Sequence, residues 1–196
     1  MGSDYAGRIA AISRSLGIPA DYAVARHLPV QREARKLVAI GRNQEGRVVK
    51  LAPRAAAAWQ RMQAAAAKDG VILRPLSGFR SVLRQTKIIR EKLAAGTRIG
   101  KILQLIAAPG WSEHHTGRAL DLVSTADPEL EERFALTPEF RWLKKHAGHF
   151  GFHLSYPRGN PHGIAYEPWH WCWRNVGAGR EKPAYRSDEV KIPGAL

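Results

Sequence analysis

A single cysteine, Cys172, is all the thiol chemistry that the 196 residues contain. One thiol cannot close an intramolecular disulfide or build a cysteine-rich zinc finger, so any metal must be held by histidine and carboxylate. It fits a reducing or an oxidising compartment equally well. Acidic residues are also scarce, with 17 Asp and Glu against 31 Lys and Arg, a net charge of +14. That excess attracts polyanions such as nucleic acid, anionic cell-wall polymers or membrane surfaces. The basic residues are spread along the chain rather than gathered in one arm or helix stripe, which argues against specific nucleic-acid binding. No window approaches the ~20 apolar residues of a membrane span. Met1 to Leu16 is amphipathic, carries Asp4, Arg8 and Arg14, and lacks a signal-peptide core. The expected location is the cytoplasm, unless a leader has been removed.

What is present argues for a folded domain. Hydrophobic residues make up 44% of the chain, enough to bury a core without disulfides. We read one domain over 1–196, with an N-terminal helical segment at 1–30, a core at 31–177 and a C-terminal tail at 178–196, acting as a monomer. Asp4 to Leu16 predicts a first helix, with Ile9, Ile12 and Leu16 on one face and Gly17 closing it. Asp21 to His27 adds a helical turn. Leu37–Ile40 and Val48–Leu51 form β-prone runs around a polar, glycine-bounded turn, the pattern of a hairpin. Pro53 opens an alanine-rich helix through Lys68, ended by Gly70. Val71 to Leu76 reads as a strand, and Ser81 caps a helix from Val82 to Ala95. A short helix follows at Ile99–Ile106, then strands at Arg118–Val123, Phe152–Tyr156 and Trp169–Arg174, with a helix from Thr137-Pro138 to His146. Helices and strands without regular βαβ alternation predict an α+β domain with a mainly antiparallel sheet.

The chemistry concentrates in two stretches. Ser112-Glu113-His114-His115-Thr116-Gly117-Arg118-Ala119-Leu120-Asp121 holds an imidazole and a carboxylate joined by a glycine turn, and Glu167-Pro168-Trp169-His170 follows about fifty residues on. Together they offer two imidazoles, one carboxylate ligand and one carboxylate to spare, the set of a catalytic zinc site with an open position and a general base. Strand alternation sends Asp121 and Ala119 to one face and Leu120 and Leu122 toward the core. It likewise turns His170 and Cys172 one way and three tryptophans the other, which would fix the direction of the ligand.

The first stretch resembles the S-x-H-x-x-G-x-A-x-D motif of the LAS family of zinc peptidases, which includes D-alanyl-D-alanine carboxypeptidases of the VanY type. Glu167-Pro168-Trp169-His170 resembles that family's E-x-W-H, and Ser77-Gly78-Phe79-Arg80-Ser81 with Gln85 resembles its S-G-[YF]-R-S-x-x-x-Q. The resemblance covers roughly residues 70 to 175 and implies a hedgehog/DD-peptidase-like small α+β domain, its antiparallel sheet flanked by helices. It makes His114, Asp121 and His170 the ligands of Zn2+, Glu167 the general base and Arg80 the stabiliser of the developing oxyanion. Gln85, Ser112 and Tyr156 would hold the substrate's terminal carboxylate and backbone. The implied activity removes the terminal D-alanine from peptidoglycan stem peptides ending in D-Ala-D-Ala, and it implies the bacterial cell envelope or periplasm if a leader has been removed. An L,D-carboxypeptidase, a peptidoglycan endopeptidase or a non-catalytic zinc-fold binding module would share the fold.

Each residue also has a plainer reading. Either histidine could sit satisfied in a loop or core, Asp121 or Ser112 could cap a turn, and Glu167 or Gln85 could face solvent. Arg80 could be a structural salt-bridge donor and Tyr156 plain core. His115, in an extended loop beside a ligand, is expected either to back the ligand sphere from behind or to form pocket wall. His146, His149, His153 and His162 are too dispersed for a second metal site, and Cys172 is expected to be a buried, inert thiol. Ser155 stands where relatives often carry Arg, so carboxylate recognition is where a difference is expected.

Overall fold

Alternation along two strands sets the plan of the molecule. The computed structural model describes residues 5–125 and 128–175, so the tail expected at 178–196 lies outside them. Strand β3 is Arg74–Ser77, β4 Ala119–Val123, β5 Phe152–Leu154 and β6 His170–Trp173. They form a sheet in the order β3-β4-β6-β5, every neighbouring pair antiparallel. The α+β class with an antiparallel sheet and flanking helices is therefore as expected. All five residues of β4 are buried: Leu120 and Leu122 enter the main core with Trp171, which leaves Asp121 on the opposite face.

That core is closed by helices α3, Pro53–Lys68, and α6, Pro138–His146. Both begin with proline in the first turn, where its missing N–H costs nothing. The Thr137 hydroxyl accepts from the Phe140 N–H and caps α6. The alanines of α3 bring it close, with Ala55, Ala58, Trp59 and Met62 fully buried. At its end Gly70 takes φ +74° and the Val71 N–H closes back on the Ala66 carbonyl, a Schellman stop. This corrects the expected strand at Val71 to Leu76: Val71 is spent on the helix end, and pairing starts at Arg74. The expected strands at Phe152–Tyr156 and Trp169–Arg174 are likewise shorter at their ends.

A second core joins α1, Tyr5–Ser15, and α2, Tyr22–Ala25, to α4, Val82–Ala94, and α5, Ile99–Leu105. Leu16, Ile18, Tyr22 and Leu28 pack there with Ile89, Ile102 and Tyr156. The N-terminal segment is thus tied into the rest. The Tyr22 hydroxyl accepts from the Ala108 N–H at 3.0 Å, and the Glu33 carboxylate accepts from the Val82 N–H at 2.7 Å. Beside the sheet lies the expected hairpin, β1 Val38–Arg42 and β2 Val48–Leu51, a separate two-stranded sheet. Its end grips the loops that carry the site: Phe79 N–H donates to Lys50 O, and Ala52 N–H to Gly117 O. Both contacts need glycine. A Cβ on Gly78 would stand 2.5 Å from Lys50 O, and one on Gly117, at φ +63°, 2.8 Å from Ala52 N.

Candidate metal centre and catalytic cleft

Register brings the candidate ligands together. Asp121 pairs directly with His170 across β4 and β6, and with Ser77 across β4 and β3. His114 arrives from a 3₁₀ turn, Glu113–Thr116, that Gly117 ends in a left-handed conformation. His114 Nε2 lies 3.2 Å from Asp121 Oδ2, and His170 Nδ1 lies 3.1 Å from Asp121 Oδ1. Ligand atoms on a tetrahedral ion with bonds of about 2.1 Å stand roughly 3.4 Å apart. The three buried residues each offer an atom within 4.8 Å of the others, and they are a group that could hold a metal ion.

The hydrogen bonds behind the ligands fit that use. His114 Nδ1 is 2.6 Å from the Gly78 carbonyl, which can only accept, so Nδ1 carries the proton and Nε2 the lone pair. His170 Nε2 donates to Glu113 Oε2 at 2.9 Å, which turns Nδ1 toward Asp121. Ligating histidines that give their second N–H to a carbonyl or carboxylate are the usual arrangement around zinc. Two imidazole nitrogens backed in this way, together with one carboxylate, suit zinc.

Electrostatics couple these groups tightly. Burial opposes ionisation of Asp121, but His114 and His170 hold its carboxyl well below the usual carboxylate range. Burial also works against a charge on His170. Hydrogen bonds to Asp121 and Glu113 outweigh it and raise its pKa to about 10. The same bond overcomes burial at Glu113 and brings it down to about 2. His114 goes the other way, its pKa lowered chiefly by burial. A proton on His170 Nδ1 fills the lone pair that a metal would take, so binding would release it.

All eight residues singled out in the sequence line one cleft of about 80 Å³: Arg80, Gln85, Ser112, His114, Asp121, Tyr156, Glu167 and His170. Glu167 Oε2 lies 3.8 Å from His170 Nδ1. Burial lifts its pKa to about 8, against the pull of His170. Arg80 is held from three sides, donating to Ser77 Oγ at 3.0 Å, Asp121 Oδ2 at 3.3 Å and Gln85 Oε1 at 3.1 Å. Gln85 is fully buried and donates its amide to the Ala107 carbonyl, so the solvent-facing alternative is wrong. Ser112 is buried and its hydroxyl is not spent on capping the turn. The Tyr156 ring lies 4.9 Å from that of His170.

Other expectations need correction. His115 is not in an extended loop, and of its two expected places it takes the one behind the site, not the cleft wall. It sits fully buried in the 3₁₀ turn, its Nδ1 2.6 Å from the Arg80 carbonyl and its Nε2 accepting from Gly110 N–H at 3.0 Å. Ser155 does not line the cleft. It faces a separate depression with Glu113, Arg118 and Cys172, and its hydroxyl lies 3.4 Å from His153 Nε2. Cys172 is buried beside it, with its thiol pKa pushed up by burial. Among the described residues the other histidines are not gathered into a metal-ligand group. Sequence reasoning passed over Glu113. Its partner is 57 residues away, and nothing in the spacing links them.

Comparison with known proteins identifies a family and a fold. Residues 48–177 match the family model described as VanY, D-alanyl-D-alanine carboxypeptidase. YodJ of Bacillus subtilis (strain 168), a protein provisionally named a carboxypeptidase, is 40% identical over 121 residues, 59% of this chain and 43% of the relative. The chain therefore spans less than half the length of that relative. The structure of the LD-carboxypeptidase LdcB superposes with a TM-score of 0.65 at 32% identity, covering 74% of this chain and 71% of LdcB. A point mutant of the vancomycin resistance D,D-pentapeptidase VanY, from a VanB-type cassette and in complex with Zn(II), gives 0.58 at 26% identity, covering 77% and 84%. No described helix is long and apolar enough to cross a membrane.

Proposed function

The chain belongs to the VanY family of D-alanyl-D-alanine carboxypeptidases, and on that premise we propose that it is a zinc-dependent D,D-carboxypeptidase. It would remove the terminal D-alanine from peptidoglycan stem peptides ending in D-Ala-D-Ala, acting as a monomer in the cell envelope with its peptidase core at 31–177. The observation that carries this reading is the convergence of His114, Asp121 and His170 on one buried point, with Glu167 and Arg80 beside it. Zinc held by these three would act as a Lewis acid, bringing the pKa of a water to about 7 and polarising the scissile carbonyl.

The protein's own groups supply the rest. Glu167, a carboxyl whose pKa burial lifts to about 8, takes the proton of the attacking water as the new C–O bond forms; it then gives that proton to the amine nitrogen, and the peptide C–N bond breaks. Arg80, locked by Ser77, Gln85 and Asp121, donates to the oxygen that gains charge and costs no reorganisation as it does so. Ser112, Gln85 and Tyr156 hold the terminal carboxylate and backbone of the peptide. The cleft adjoins a larger depression of about 360 Å³ through Arg80 and Leu130, and Arg47, Lys50 and Arg84 are among its lining. No acidic side chain is among its described lining residues, which suits the acidic stem peptide upstream of the cut.

A second reading, an L,D-carboxypeptidase, is favoured by the 0.65 TM-score and 32% identity with LdcB. Zinc analysis of the purified protein, with D-alanine release measured on a pentapeptide ending in D-Ala-D-Ala and on the matching tetrapeptide, decides between them. Release from the pentapeptide alone supports the D,D-assignment, and release from the tetrapeptide alone replaces it. No release from either, with zinc bound, overturns carboxypeptidase activity.

A further inference from the structure

We infer that Glu113 is a positioning residue of the metal centre: its carboxylate takes the Nε2–H of His170 and fixes that ring with Nδ1 presented beside Asp121. The inference rests on the zinc reading above and adds a residue to it. The two histidines are held in different ways. His114 is backed by a neutral backbone carbonyl, Gly78 O, at 2.6 Å. His170 is backed by a carboxylate at 2.9 Å whose side chain is only 16% exposed.

A buried carboxylate does two things for the ring it touches. It excludes the flipped orientation and the other tautomer, because only a protonated Nε2 satisfies it. It also pushes electron density toward Nδ1 and makes that nitrogen the better ligand. Glu113 is itself fixed. Its backbone lies in the same 3₁₀ turn that delivers His114, and its side chain shares one depression with Arg118, Ser155 and Cys172. The Tyr156 ring lies against His170. One short turn therefore sets both histidines, His114 directly and His170 through Glu113.

The test uses the wild-type chain with Glu113→Ala and Glu113→Gln. Zinc affinity is measured by competition with a chromophoric chelator, the cobalt(II) form is examined by visible absorption, and the metal-free proteins are melted. Loss of such a partner weakens metal binding about 10- to 100-fold, and that is the expectation for Glu113→Ala. The expected loss for Glu113→Gln, which keeps size and an acceptor, is on the order of tenfold. The cobalt(II) bands should shift in both, with little change in the metal-free melt. Affinity within twofold of wild type and an unshifted cobalt spectrum in a folded variant would overturn the inference. Glu113→Gln carries the decision should Glu113→Ala not fold. Wild-type protein that binds no zinc would instead sink the underlying reading, and this inference with it.

Discussion

Replacing His115 with phenylalanine removes two hydrogen bonds without removing the ring. The side chain is fully buried, bridging the Arg80 carbonyl and the Gly110 N–H. Phenylalanine leaves both backbone groups unmet, at about 1–3 kcal/mol each. The expected destabilisation at pH 7.5 is therefore about 2–6 kcal/mol, a large share of a domain's total. The pH dependence is more diagnostic. Burial lowers the His115 pKa from 6.5 to about 4, and its Nε2 lone pair is occupied by Gly110. Between these values the unfolded chain binds the proton that the folded protein refuses. The group's contribution is thus complete above pH 6.5 and is lost as pH falls toward 4. At about 1.4 kcal/mol per pH unit the loss is about 3 kcal/mol. Urea unfolding of metal-free wild type and His115→Phe at pH 7.5, 6, 5 and 4 should show the gap between them closing by that amount. A gap that stays constant across the series, or a variant as stable as wild type at pH 7.5, would refute the reasoning.

Three further outcomes are expected. Glu167→Gln should bind zinc with unchanged stoichiometry while kcat falls about 10²- to 10⁴-fold, read from peptide hydrolysis alongside metal analysis; unchanged kcat would remove Glu167 as the base. Asp121→Ala takes away the residue that His114, His170 and Arg80 all contact, so zinc content after dialysis should drop well below one ion per chain. Gly78→Ala puts a methyl 2.5 Å from Lys50 O and should cost about 1–3 kcal/mol, visible as a lowered Tm.

Local signals made much of the fold legible in advance. Helix α3 runs from Pro53 to Lys68 as read, because proline and glycine mark its ends. Ser81 caps α4 as expected, since a hydroxyl one residue before a helix is a local device, and α6 starts at Thr137-Pro138 as read. Asp121 and His170 could be placed on one face from alternation alone. What escaped notice was long-range. The bond from Glu113 to His170, the Glu33 carboxylate on the Val82 N–H and the docking of Tyr22 on Ala108 join residues 49 to 86 apart. Such partners are chosen by packing, not by spacing. His115 failed for a related reason: its neighbours suggested an extended loop, whereas the 3₁₀ turn sends it inward to Arg80 and Gly110.

Direct pairing of Asp121 with His170 ties correct threading to chemistry. Sliding β6 by one residue against β4 would swing Trp171 out of the interior and carry His170 away from its neighbour at the same stroke. A misaligned sheet could therefore not persist as a sound but inert molecule. Quality control of folding and assembly of the reactive centre become a single checkpoint.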